Sequence, residues 1–116
     1  GALIKVGYRV MEASDGAEAL QILERNHGTK NPHDKIDVVV SDVEMPRMDG
    51  LSFTKKVREH PVLSATPIIL HTSLSGKANQ EAGHMVGANG YVIKNDLRCL
   101  FELLREIIGQ DASNAA

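Results

Sequence analysis

The chain has 116 residues, with 13 Lys and Arg against 15 Asp and Glu, 42% apolar residues, 24% charged residues and one cysteine. This gives room for one domain with its own core, supplies no basic stripe for nucleic acid, and excludes an internal disulfide framework. No apolar stretch approaches the roughly 20 residues of a membrane span, and no signal-peptide pattern is present, so the expectation is a soluble protein of the reducing cytoplasm.

Residues Tyr8 to Ala13 alternate in polarity and lead into Ser14-Asp15-Gly16, which predicts a short strand and then a turn. Ala17, Leu20, Ile22 and Leu23 recur at helical spacing, and Asp15 stands three residues before Glu18, a variant of the capping box. This helix is expected to end near Asn26 to Gly28. The polar stretch from Gly28 to Lys35 reads as a loop on the face opposite the site.

Ile36 to Ser41 is the predicted central strand. Asp49 then caps a helix with Phe53 and Val57 on its inner face, stopped by Pro61. Pro67 to Thr72 is a further short buried strand. A helix from about Lys77 to Val86 is expected to bury Ala78, Ala82, Met85 and Val86, with Gly87 as its C-terminal cap. Gly90 to Lys94 forms the last strand. Leu97, Leu100, Phe101, Leu104, Ile107 and Ile108 then make an amphipathic helix, capped near Asp96 and closed by Gly109, with 110–116 as a frayed tail. Regular alternation of strand and helix predicts right-handed crossovers and a parallel sheet covered on both faces, an α/β doubly wound architecture. Before all this, Gly1 to Val6 offers only a scrap of helix.

Three apolar runs end in reactive side chains: Asp42 after Ile36 to Ser41, Thr72 after Pro67 to His71, and Lys94 after Gly90 to Ile93. On parallel strands these ends share one edge, where open α/β sheets place their ligand crevice. A carboxylate, a hydroxyl and an ammonium together suit a phosphoryl group.

Asp42 followed by Met45-Pro46-Arg47-Met48-Asp49-Gly50, Thr72 at a strand end, and Tyr91 three residues before Lys94 resemble a response-regulator receiver domain over about Tyr8 to Gly109. Glu44 beside Met45-Pro46, with the run from Leu70 to Gly76, is most similar to the receiver of chemotaxis coupling proteins of the CheV type. The resemblance implies a flavodoxin-like fold, five-stranded in the family, with a receiver over 1–109. It implies that Asp42 accepts a phosphoryl group from the phosphohistidine of a histidine autokinase. Mg²⁺ would be held by Asp42 and by the backbone carbonyl of Glu44. Lys94, Thr72 and Ser73 would bind the phosphoryl oxygens, and Thr72 and Tyr91 would act as the switch. In the family, that switch remodels the face of the fourth helix, fifth strand and fifth helix. A chemoreceptor array or a coupling domain is the implied wider partner. Turnover would amount at most to slow self-dephosphorylation.

Three departures from the family pattern stand out. The acidic pair that ends the family's first strand and completes its Mg²⁺ site has no counterpart, because no acid precedes Glu12. By analogy roughly twenty residues are absent, enough for one strand and much of a helix. In the family that strand lies inside the sheet, so the expectation is either a chain cut short of its natural start or a dimer completed by domain exchange. Asn95 replaces the proline that follows the site lysine, and a non-proline cis bond costs about 2.5 to 4 kcal/mol, which favours a trans Lys94-Asn95 bond and an altered aim for Lys94. Glu44 overhangs the pocket, where its charge either slows phosphodonors or positions water.

Plainer readings stand beside these. Asp49 is a helix cap, and Tyr91 is equally a core-edge aromatic or a moving switch. The five histidines His27, His33, His60, His71 and His84 lack metal-ligand spacing, and Cys99 is a packing residue. Two competing functions remain: a docking domain that works without phosphorylation, and a haloacid-dehalogenase-type phosphatase. The second needs an aspartate two residues beyond the nucleophile, where this chain has Glu44.

Overall fold

The computed structural model describes residues 11–30, 35–44, 48–73, 77–94 and 96–115. Three parallel strands, β1 (Val39–Ser41), β2 (Ile68–Thr72) and β3 (Gly90–Ile93), lie in the order β1-β2-β3. Among the described residues four helices alternate with them: α1 (Gly16–Asn26) precedes β1, α2 (Gly50–Glu59) and α3 (Lys77–Met85) cross between strands, and α4 (Leu97–Ala115) follows β3. The register pairs Ser41 with Leu70 and Thr72 with Ile93, so the three strands end close to one level. This is the α/β, flavodoxin-like arrangement that the alternation predicts.

Alternation along β2 sends its side chains to two cores. Ile68 and Leu70 pack with Phe53, Val57, Leu63 and Leu23, on the face covered by α1 and α2. Ile69 packs with Val92, Leu100 and Leu104 on the α4 face. Phe53, Val57, Ile68, Ile69 and Leu70 are wholly buried, each favouring the fold by about 1.5–3 kcal/mol over an exposed position. Because both faces are covered, β2 is apolar at successive positions rather than alternating.

The helix starts follow the expected chemistry. Asp15 Oδ1 accepts from Glu18 N at 2.9 Å, while Glu18 Oε2 reaches back to Ser14 N at 3.2 Å. Asp49 Oδ1 accepts from Ser52 N at 2.7 Å, and Asp96 Oδ1 from Cys99 N at 3.1 Å. Each satisfies a first-turn donor that the helix itself leaves orphaned. Gly87 ends α3 with φ of 94°, as a C-terminal glycine should.

Several expectations are corrected. The central strand begins at Val39, not Ile36: Pro67 lies across from Val38 and has no N–H to donate, so the ladder opens with Val39 N to Pro67 O at 2.9 Å. Met85 is 84% exposed instead of buried. Gly83 faces inward in its place, so close that an added Cβ would stand 3.0 Å from the Tyr91 ring and 3.1 Å from Leu70 Cδ1. Ala17 is exposed, and Ala19 and Leu20 join Leu23 against the core. Leu97 is 44% exposed. The last helix passes through Gly109 to Ala115; one helical glycine costs only about 1 kcal/mol and no proline follows to stop it.

Of the strand predicted over Tyr8 to Ala13, 8–10 lie outside the described residues and 11–13 have no regular structure. Gly1 to Val6, Met45-Pro46-Arg47, Leu74-Ser75-Gly76 and Asn95 also lie outside the described residues, and with Asn95 the geometry of the Lys94-Asn95 bond. Among the described residues, β1 pairs only with β2.

Candidate functional site

Asp42 follows β1 directly, Thr72 closes β2 and Lys94 follows β3, so the sheet carries all three to its carboxyl edge. Lys94 Nζ lies 2.5 Å from Asp42 Oδ2. The second carboxylate oxygen is also engaged: Asp42 Oδ1 accepts from Glu44 N at 3.0 Å, an Asx turn that fixes the start of the following loop. The Asp42 side chain stays 28% exposed and that of Lys94 49% exposed, so the pair is open to solvent and to an incoming anion.

Thr72 is fully buried, and its carbonyl accepts from Lys94 N at 2.8 Å, tying the end of β2 to the residue that carries the ammonium. Ser73, the next residue, is exposed, and so is Glu44, two residues past Asp42. Tyr91 is half-buried on β3 against α3, and burial pushes its hydroxyl pKa up. Asp49 acts as the cap of α2. Among the described residues no group of three or more His, Cys, Asp or Glu is placed to hold a metal ion. A pocket of about 440 Å³ lies elsewhere, along α1, and none of Asp42, Thr72 or Lys94 lines it.

Three neighbours of the site escaped the sequence reading. His71, on β2 at the level of Asp42, has its Nε2 buried without a hydrogen-bond partner among the described residues. Burial lowers its pKa first and the Lys94 charge lowers it further, against smaller upward contributions from Asp42 and from a hydrogen bond with the Lys94 backbone. Gly50 presses on the Asp42 main chain, where an added Cβ would lie 2.2 Å from the Asp42 carbonyl oxygen. Thr54, also fully buried, donates from Oγ1 to the Gly50 carbonyl at 2.7 Å. The only sequence signal for the last two was the glycine after the capping aspartate.

At the opposite end of the sheet, Arg58 gathers three segments. Its guanidinium donates to the carbonyls of Gly87 at 2.9 Å, Ser64 at 3.1 Å and Thr66 at 2.7 Å, and to Asn89 Oδ1 at 2.8 Å. Asn89 Oδ1 in turn accepts from Ile68 N at 2.8 Å. Burial lowers the Arg58 pKa. His60, the C-cap of α2, accepts at Nδ1 from Val62 N and Leu63 N. Cys99 is half-buried on α4, and burial, then Asp96 and Glu102, push its thiol pKa up.

Comparison with known proteins agrees with this geometry. The family described as the response regulator receiver domain matches residues 1–105. The chain is 31% identical over 113 residues to chemotaxis protein CheV3 of Helicobacter pylori, covering 95% of this chain and 36% of that protein. It is 33% identical over 116 residues to a chemotaxis protein CheY homolog of Campylobacter jejuni, covering 98% of this chain and 84% of the other. The chain spans only 12% of another relative, the gliding motility regulatory protein of Myxococcus xanthus. Among solved structures, the receiver domain of sensor histidine kinase PA1611 of Pseudomonas aeruginosa, with a magnesium ion coordinated in its active site cleft, superposes with a TM-score of 0.70 at 27% identity, covering 92% of this chain and 82% of that one. With the parallel sheet, the strand-end aspartate and its paired lysine on one edge, the chain belongs to the response regulator receiver domain family.

Proposed function

We propose that Asp42 is the phosphoacceptor of a two-component receiver. A carboxylate oxygen attacks the phosphorus of a kinase phosphohistidine, the P–N bond breaks, and the imidazole leaves with the bonding pair and picks up a proton. The observation that carries this reading is the Lys94 Nζ to Asp42 Oδ2 contact at 2.5 Å. A cation held there meets the negative charge that arrives on the phosphoryl oxygens. The Thr72 and Ser73 hydroxyls would take further phosphoryl oxygens, and a shift of Thr72 would free Tyr91 to turn. Glu44, exposed two residues on, would modulate access by phosphodonors and water.

The donors at this edge are oxygens, the class Mg²⁺ takes, and Asp42 stays open enough for water to complete a coordination shell. Asp42 and the Glu44 backbone carbonyl would hold the ion, whose contribution when bound is to neutralise phosphoryl charge. The CheV3 and CheY relatives favour a cytoplasmic role in chemotaxis, with a histidine autokinase as donor and a receptor array or coupling domain as the wider partner. The competing docking role is favoured by the single acidic side chain paired with Lys94, since no three-ligand cluster occurs among the described residues.

Intact-mass analysis after incubation with acetyl phosphate and Mg²⁺ separates the two. The protein should gain one phosphoryl group and Asp42→Ala none. No gain in the protein would leave the docking role.

A further inference from the structure

We propose that Gly50 is a positioning residue for Asp42: the bare first position of α2 leaves the room in which the Asp42 main chain lies, and the aim of the carboxylate depends on it. The inference rests on Asp42 being the phosphoacceptor.

A Cβ built on Gly50 would stand 2.2 Å from the carbonyl oxygen of Asp42, 3.0 Å from its carbonyl carbon and 3.0 Å from Val43 Cα. All three are backbone atoms, so no rotamer change relieves the contact. The requirement is one of space and not of backbone angle, because the glycines described with positive φ are Gly28 and Gly87. At Gly28 the situation is reversed, with a φ of 73° and open space around the missing side chain.

Gly50 cannot retreat, since it is held on both sides. Its N–H donates to the Val43 carbonyl at 2.9 Å, and its own carbonyl accepts from Thr54 Oγ1 at 2.7 Å. Thr54 is wholly buried, and Asp49 Oδ1 holds the same turn through Ser52 N. The Asp42-Val43 peptide must therefore yield to a larger residue. Widening 2.2 Å to even 3.0 Å moves it by about 0.8 Å. The side chain on that peptide makes both site contacts, Oδ2 to Lys94 and Oδ1 to Glu44 N. A misplacement of about 1 Å in a reacting group can cost about 10²-fold in rate.

The test compares Gly50→Ala with Val57→Ala. Val57 is wholly buried on the same helix, seven positions further on, about 10 Å along the axis. Both variants weaken α2 packing, but only the first pushes on Asp42. Phosphorylation by acetyl phosphate should slow about 10²-fold in Gly50→Ala and stay near the wild-type rate in Val57→Ala. Hydrogen exchange of the Glu44 amide, read by NMR on unphosphorylated protein, should accelerate in Gly50→Ala alone. A wild-type rate in Gly50→Ala, or equal losses in the two variants, overturns the proposal. If Gly50→Ala does not fold, Thr54→Val frees the Gly50 carbonyl without adding bulk. It should speed Glu44 exchange and slow phosphorylation several-fold, and no change in either overturns the proposal. A wild-type protein that takes no phosphoryl group on Asp42 defeats the phosphoacceptor reading instead, and the exchange comparison still decides whether Gly50 positions Asp42.

Discussion

Lys94 and Asp42, 52 positions apart in the chain, meet at 2.5 Å across the carboxyl end of β2. Neither strand that delivers them touches the other, because β2 lies between β1 and β3. The pair therefore depends on the shared level at which three parallel strands stop. Both side chains remain partly in water, at 49% and 28% exposure, so the contact is an arrangement for a ligand more than a source of stability.

Replacing Lys94 with Met should accordingly change unfolding stability by less than about 1 kcal/mol. Urea denaturation checks this, and a loss of several kcal/mol would show that the pair holds the fold. Beryllofluoride, a phosphoryl mimic, should shift the NMR resonances around Asp42 in the parent, and the same variant should lose that shift.

His71 predicts a pH dependence of stability. Its folded-state pKa is lowered, chiefly by burial and then by Lys94. The unfolded chain then binds the proton more readily, so the stabilising contribution is complete above the ordinary value of about 6.5. It is lost as pH falls below that value toward the folded-state pKa. Urea midpoints at pH 7.5 and 5.5 should differ less in His71→Leu than in the parent. An identical slope would remove His71 from the account.

Arg58 should be the most demanding polar residue away from the site. Truncation to Ala strands the carbonyls of Gly87, Ser64 and Thr66 and removes one of the two donors to Asn89 Oδ1, at a cost of about 1–3 kcal/mol. Arg58→Lys should recover little of it, because one ammonium cannot reproduce a planar fork aimed at four acceptors on two segments. Equal stability of Arg58→Lys and the parent in urea would contradict this.

The facing of α3 and α4 gives a contrast between two apolar residues. Met85→Gln, at a position 84% exposed, should alter stability by no more than about 0.5 kcal/mol. Leu104→Ala, at a position 2% exposed, should cost about 2–5 kcal/mol. Thermal melts of the two variants side by side are sufficient.

Asp49→Ala should lower stability by about 0.5–2 kcal/mol through the lost cap on Ser52 N and leave phosphoryl acceptance in place. A phosphorylation defect as deep as that of Asp42→Ala would give Asp49 a role in the chemistry.

The sequence alone determined the features governed by short-range physics. The caps at Asp15, Asp49 and Asp96 follow from a side-chain oxygen three residues before an orphan N–H, and Gly87 follows from the left-handed backbone at a helix end. The alternation of strand and helix implied the parallel sheet, and with it the common edge for Asp42, Thr72 and Lys94. What lay beyond reach was set by contacts between distant segments. Pro67 decides where β1 starts pairing, and Gly83 rather than Met85 faces Leu70 and Tyr91. Arg58 reaches Asn89 across 31 positions, and His71 Nε2 is buried with no hydrogen-bond partner among the described residues. Gly50 reads in sequence as an ordinary first helical residue, and only the approach of another turn of chain gives it a steric role. Capping and periodicity act within a few residues and are written locally, whereas burial and clearance depend on which distant atoms arrive, and packing of the whole chain decides that.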